Sequence, residues 1–292
     1  MLDHEVDLWK VDQEPRLTMN GIMTKSLKWT PVVFLFAASG WAQETKESKF
    51  APKFYAFENG VSFGSDANSA KTLKELGYDG ISQVHKGGAK LKNQIADYEK
   101  AGLKVLSVYL NVKDKPIDSK LVEPLANRDA ILELTVNRIT PELIVAVRQT
   151  AEMAQKLKIR VALYPHHGNG VATMPHAMGL IAKVNHPNLG VMFNVCHFLK
   201  NENLDDMEKV IEKAGDRLFA VSVCGANVDG KGWNELIKPL DQGDFPQERL
   251  LKALKKVKFN GPVGLQCYAV KGDKRANLQN SISAWQKALE QL

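Results

Sequence analysis

Two stretches of the chain end on histidine in a setting where an imidazole could do chemistry: Tyr164-Pro165-His166-His167-Gly168 and Phe193-Asn194-Val195-Cys196-His197. Imidazole changes charge near neutral pH, so it suits proton transfer or, when neutral, ligation of a transition metal. His166 and His167 are adjacent and cannot share one face of a strand, and parity with Tyr164 selects His166 as the inward one. Glu133, in Leu132-Glu133-Leu134, is the one carboxylate of that parity in the middle of the chain. It could act as a general base or metal ligand, or be neutralised by Arg138 or Lys200. Tyr109, Tyr164, Asn194 and Gln266 share the same side and offer hydroxyl and amide groups to a ligand rich in hydroxyls. His85, Glu58 and Asn59 are weaker candidates because their facing is not determined by the pattern. No Ser-His-Asp arrangement, phosphate loop or dinucleotide fingerprint accompanies them.

These residues need a scaffold that brings distant segments together. Short β-rich runs at 54–58, 80–84, 105–112, 131–137, 160–166, 190–196, 219–224 and 263–268 read as strands. Between them, apolar residues recur at helical spacing over 69–76, 91–101, 118–125, 141–157, 174–184, 204–214, 247–257 and 275–289. Ser69, Thr140-Pro141 and Asn203 mark helix starts, and Gly77, Gly102 and Gly215 mark ends. Eight strand-helix pairs without a linker predict an α/β fold, a single (β/α)8 TIM barrel over 53–292. An open doubly wound sheet would want a glycine-rich phosphate loop after the first strand, and Asn59-Gly60 and Gly64 do not form one.

Strands buried on both faces usually read as continuous apolar runs. Here six of them alternate. Leu132 and Leu134 alternate with Glu133 and Thr135, Val161 and Leu163 with Tyr164 and His166, and Val263 and Leu265 with Gln266 and Tyr268. The apolar set is expected under the helices and the polar set around the barrel axis. An unpaired buried polar group costs about 1–3 kcal/mol, so that interior needs a ligand, water or an internal network. In this fold, function gathers at the C-terminal ends of the strands.

The N-terminal part reads differently. Residues 1–22 are polar and acidic, as expected of an extension upstream of a start at Met19 or Met23. Residues 23–42 carry Lys25 and Lys28, a short apolar run from Val32 to Ala38, and Gly40 and Ala42 where a signal peptidase reads small residues. They are expected to be a signal peptide, followed by a flexible mature N-terminus over 43–52, placing the protein in the periplasm or outside the cell. The apolar run is too short to anchor in a bilayer of roughly 30 Å. With 39 Lys+Arg against 33 Asp+Glu and a formal charge of +6, the chain is mildly basic. Its lysines are spread along amphipathic helices instead of forming a nucleic-acid patch. Cys196, Cys224 and Cys267 have neither the number nor the spacing of a disulfide framework or structural zinc site, and are expected to be small buried hydrophobes.

Leu76-Gly77-Tyr78-Asp79-Gly80-Ile81, Tyr164-Pro165-His166, Gly190-Val191-Met192-Phe193-Asn194-Val195-Cys196-His197 and Gly261-Pro262-Val263-Gly264-Leu265-Gln266 resemble the sugar phosphate isomerase/epimerase group of the xylose isomerase-like TIM barrels. The resemblance spans about 53–290. It implies one divalent ion, commonly manganese, held by Glu, Asp, His and Glu from the last four strands, and proton transfer between neighbouring sugar carbons. Those ligand positions fall on Tyr164 (or nearby His166), Asn194, Ser222 or Cys224, and Gln266, while the substrate-contacting histidine is retained as His197. Each charged ligand is thus replaced by a neutral group, and amide oxygens hold hard divalent cations more weakly than carboxylates. A rebuilt manganese or zinc site would draw on His166, His197 and Glu133 with Asn194 and Gln266 as neutral supports, so that His166, Asn194 and Gln266 are its metal-site candidates.

The resulting expectation is a sugar or sugar phosphate isomerase/epimerase. Glu133, His166 and His197 are its catalytic candidates, Tyr164, Asn194, Gln266 and Tyr109 its substrate-binding ones, and a small carbohydrate its partner. The alternative is a carbohydrate-binding barrel that has lost catalysis. An apurinic endonuclease, which shares the fold, would need a three-metal cluster for which the chain has too few inward carboxylates.

Overall fold

The computed structural model describes residues 50–292. The upstream extension, the signal peptide and most of the segment over 43–52 lie outside the described residues. The strands are β1 (Phe54–Phe57), β2 (Gly80–Ser82), β3 (Lys104–Val105), β4 (Ser107–Val112), β5 (Ile131–Val136), β6 (Arg160–Leu163), β7 (Leu189–Asn194), β8 (Leu218–Val223) and β9 (Val263–Leu265). The helices are α1 (Asp66–Leu76), α2 (Gly88–Lys100), α3 (Ser119–Val122), α4 (Pro141–Lys156), α5 (Met174–Val184), α6 (Val195–Asn201), α7 (Met207–Ala214), α8 (Trp233–Leu236), α9 (Gln247–Lys256) and α10 (Lys274–Glu290).

All strand pairs are parallel, in the order β3-β2-β1-β9-β8-β7-β6-β5-β4, so the sheet curls into a nearly closed barrel. The predicted third strand is split at Leu106 into β3 and β4, and the seam of the barrel runs there. Leu106 N–H donates to Ile81 O (2.8 Å), Val84 N–H to Ser107 O (3.1 Å) and Tyr109 N–H to Val84 O (3.0 Å). Between these bonds Gln83 adopts φ 55°, a left-handed conformation that is costly for a residue with a Cβ. The strain turns the end of β2 so that both the backbone and the side chain of Gln83 serve the barrel interior.

Several boundaries move for local reasons. Helix α1 starts three residues before Ser69, because Ser65 caps it by accepting from Asn68 N–H (3.1 Å) while Ser69 bonds back to Ser65 O. Thr140 caps α4 as expected, accepting from Leu143 N–H at 3.2 Å ahead of Pro141. The helix expected over 118–125 shortens to α3 and a 3-10 turn that carries Pro124. The strand expected to run to Cys196 stops at Asn194, and Val195–Asn201 is a helix.

The alternation read from the sequence sorts the side chains into two clusters. Leu132, Leu134, Val161, Leu163, Phe193, Val221, Val263 and Leu265 join the helix residues in the larger core. Phe57, Ile131, Ala162, Tyr164, Met192 and Ala220 form a second cluster of the opposite parity, inside the barrel. This inner cluster is the apolar base of the barrel. Above it lie Ser82, Gln83, Ser107, Glu133, Asn194, Ser222 and Gln266, all polar and all buried.

Candidate functional site

A cavity of about 400 Å³ opens at the C-terminal ends of the strands. Six strand ends supply its lining: Asn59 after β1, Gln83 and His85 after β2, Tyr109 from β4, Tyr164 and His166 after β6, His197 after β7, and Gln266 and Tyr268 after β9. Trp233 and Ile237, at α8 in the connection that follows β8, complete it. None of these residues carries a permanent charge.

The histidines are set by their neighbours. His166 Nδ1 lies 2.8 Å from the carbonyl oxygen of His167, which can only accept, so Nδ1 bears the proton and Nε2 keeps a lone pair. His197 is the reverse: its Nδ1 accepts from His167 N–H at 3.3 Å, leaving the proton on Nε2. The rings lie 4.2 Å apart. Burial keeps both neutral, lowering the His166 pKa and, with His166 and His167 nearby, pushing His197 down to about 3. The site therefore presents one proton acceptor and one donor side by side.

His197 reaches this place from the first turn of α6, not from a strand end. Asn194 caps that helix: its Oδ1 accepts from His197 N–H (3.3 Å) and from the Cys196 thiol (3.0 Å). This fixes the amide, and Asn194 Nδ2 donates to the Tyr164 hydroxyl. Gln266 is oriented in the same manner. Its Oε1 accepts from Asn59 Nδ2 (3.1 Å) and Tyr268 N–H (3.0 Å), and its Nε2 turns toward the Tyr164 oxygen at 3.5 Å. With two N–H groups on its oxygen, Tyr164 has its own proton free to donate, and burial holds that phenol protonated.

Glu133 sits one layer below the cavity. It is fully buried, receives Gln83 Nε2 at 3.0 Å on one oxygen, and leaves the other without a partner among the described residues. Burial raises its pKa to about 7, against the opposing pull of hydrogen bonds from Ser107 and Gln83. Neither Arg138 nor Lys200 neutralises it; Lys200 bonds to Lys231 O instead. Glu133 faces inward as the strand pattern has it, but it does not line the cavity; Gln83, which bonds to it, does.

Of the residues expected to hold a metal, His166 and Gln266 line the cavity and Asn194 does not. Both amide oxygens are occupied by internal donors, and no group of three or more His, Cys, Asp or Glu among the described residues is arranged to hold a metal. The donor set does not fit a divalent ion. The cysteines are free, with Cys196 in α6 and Cys224 and Cys267 just beyond strand ends, not inside strands.

Of the residues singled out by sequence, the cavity unites Tyr109, Tyr164, His166, His197 and Gln266, with Asn194 directly behind Tyr164. The pattern missed Gln83, Trp233 and Ile237. An aromatic in the polar segment Gly230-Lys231-Gly232-Trp233 was the available signal for one of them; nothing local announced the backbone of Gln83.

A family model described as xylose isomerase-like TIM barrel matches residues 132–290. The chain matches none of the curated proteins. Among solved structures it is similar to a 3-keto-D-glucoside 4-epimerase from E. coli, with TM-score 0.66 and 15% identity, covering 83% of this chain and 100% of the other. It is also similar to a D-allulose 3-epimerase from Methylomonas sp. in complex with D-allulose, with TM-score 0.61, 15% identity and coverage of 81% and 97%. A D-psicose 3-epimerase with D-tagatose from Clostridium cellulolyticum H10 gives TM-score 0.60 at 15% identity, covering 82% and 97%.

Proposed function

The chain belongs to the xylose isomerase-like TIM barrel family, and on that premise we propose that it is a sugar isomerase or epimerase that moves a proton between adjacent carbons using its own side chains. The observation that carries this reading is the imidazole pair: His166 Nε2 with a lone pair and His197 Nε2 with a proton, both facing one uncharged cavity. His166 Nε2 takes the proton from a carbon next to the sugar carbonyl, and the C–H electron pair becomes that of an enediol-type intermediate. Tyr164 O–H and His197 Nε2–H donate to the oxygen on which negative charge collects, a role that preorganised donors in a dry site perform well. The proton returns from His166 to the neighbouring carbon on the same face, while the hydroxyl proton on the first carbon passes through Tyr164 and His197 to the former carbonyl oxygen, which completes an isomerisation. The epimerases among the structural neighbours support the sugar class, and the misfit of the donor set supports proton transfer without a metal. The signal-like segment over 23–42 supports export to the periplasm or beyond.

The test is hydrogen exchange of ketoses, D-allulose and D-tagatose among them, in D₂O, followed by proton NMR. Exchange beside the carbonyl is expected with the wild-type protein and is expected to fall on the order of 10²–10⁴-fold in His166→Ala. A second reading, a carbohydrate-binding barrel without catalysis, is favoured by the amides that replace charged groups behind Tyr164. Saturable ketose binding with no exchange would establish it and overturn the first.

A further inference from the structure

Four large hydrophobic side chains stand exposed among the described residues: Leu121 (40%), Val145 (54%), Trp233 (36%) and Tyr268 (56%). The two aromatic ones both line the mouth of the same cavity, from the connections after the neighbouring strands β8 and β9. Their backbones are held. Glu235 accepts from Lys231 N–H (2.9 Å) and Gly232 N–H (3.0 Å), closing the turn that carries Trp233. The Lys200 ammonium lies over the Trp233 ring at 5.7 Å, and the His197 and His167 rings meet it edge-on at 5.2 and 5.8 Å. Tyr268 is tied through its N–H to Gln266 Oε1, and the following Ala269 takes φ 55°. Aromatic rings held in place at the mouth of a polar cavity, yet left in water, are suited to stacking against the flat face of a ligand ring.

We infer that Trp233 and Tyr268 form a second subsite, so that the substrate is an uncharged glycoside whose reacting sugar, a ring that carries a ketone, fills the cavity while a further ring stacks on this rim. The inference rests on the sugar reading above. The absence of charge among the lining side chains sets the rest of the specificity: a phosphorylated sugar would bring its anion against a wall that includes no cationic side chain, and Lys200 beside it is engaged with Lys231 O and the Trp233 ring. The further ring can be a second sugar or an aromatic group, since either presents a flat apolar face.

Calorimetric titration with methyl β-D-glucoside, cellobiose, phenyl β-D-glucoside and glucose 6-phosphate tests it. Cellobiose or phenyl glucoside is expected to bind at least tenfold more tightly than methyl glucoside, and whichever gains identifies the second ring. In Trp233→Ala/Tyr268→Ala the ratio is expected to collapse to within twofold; both positions are exposed, and circular dichroism confirms that the variant folds. Equal affinity of the three glucosides, a gain that survives in the double variant, or tightest binding of glucose 6-phosphate would each overturn the inference. If ketoses exchange but no glucoside binds, this inference falls alone. If ketoses neither bind nor exchange and no glucoside binds, the sugar reading falls and this inference with it.

Discussion

At the residue scale, hydrogen bonding determines what each titratable group can do. His166 must be neutral to accept a proton, and burial lowers its pKa below the ordinary 6.5. Protonation as pH falls removes the base, so kcat/KM is expected to fall on the acid side with a midpoint below pH 6.5. Glu133 gives an independent signature. Its folded pKa of about 7 lies above the ordinary 4.5, so between those values the folded state binds more protons than the unfolded chain. Stability therefore declines as pH rises from 4.5 to 7. Replacing the carboxyl by an amide removes the charge, and Glu133→Gln is expected to gain stability over wild type across that window, to about 3 kcal/mol at pH 8. Urea denaturation at pH 4.5 and 8 measures the difference. An acid limb of kcat/KM centred near 7 that vanishes in Glu133→Gln would return the carboxylate to the chemistry. The inward side of Glu133 was legible from Leu132-Glu133-Leu134, but its depth was not, because depth depends on Gln83, whose conformation is imposed by the seam.

At the element scale, the short β9 carries Gly264 into a tight part of the barrel wall. A Cβ there would stand 2.3 Å from Phe57 Cε1 and 3.1 Å from Ser82 Oγ. Gly264→Ala is expected to destabilise by about 1–3 kcal/mol through overpacking, read from the urea midpoint. It should also disturb Gln266, two residues on, and so weaken ketose binding. Element identity was largely readable because apolar residues recurred at two in strands and at three to four in helices. Element ends were less so. Asn194 looks like one more alternating strand residue until its side chain is seen capping α6, and that cap converts His197 from a strand-end residue into one on the first turn of a helix.

At the scale of the whole molecule, the barrel gathers neutral donors and acceptors where the family resemblance would place charged ligands. Since the oxygens of Asn194 and Gln266 already accept internal hydrogen bonds, added MnCl₂ is expected to leave Tm within about 1 °C, and EDTA is expected to leave ketose exchange unchanged. A metal-dependent rise in Tm would contradict this, because a ligand that binds only the folded state must stabilise it. The proposed export makes its own prediction: mass spectrometry of protein recovered from outside the cytoplasm is expected to show Gln43 as the first residue, after cleavage behind Ala42. Recovery of the uncleaved chain from the cytoplasm would remove that assignment.

Local and periodic information is carried along the chain, and it settled the strand-helix rhythm, the facing of the six alternating strands and the sorting of their alternating apolar side chains to the outer core. Those properties follow from steric and hydrophobic preferences that act over a few residues. The tautomers of His166 and His197, the two amides directed at Tyr164, the submergence of Glu133 and the aromatic rim of Trp233 and Tyr268 were settled by contacts between segments far apart in sequence. Hydrogen bonds and close packing across a closed barrel depend on distances that no run of residues contains, so this chemistry came into view only with the fold assembled.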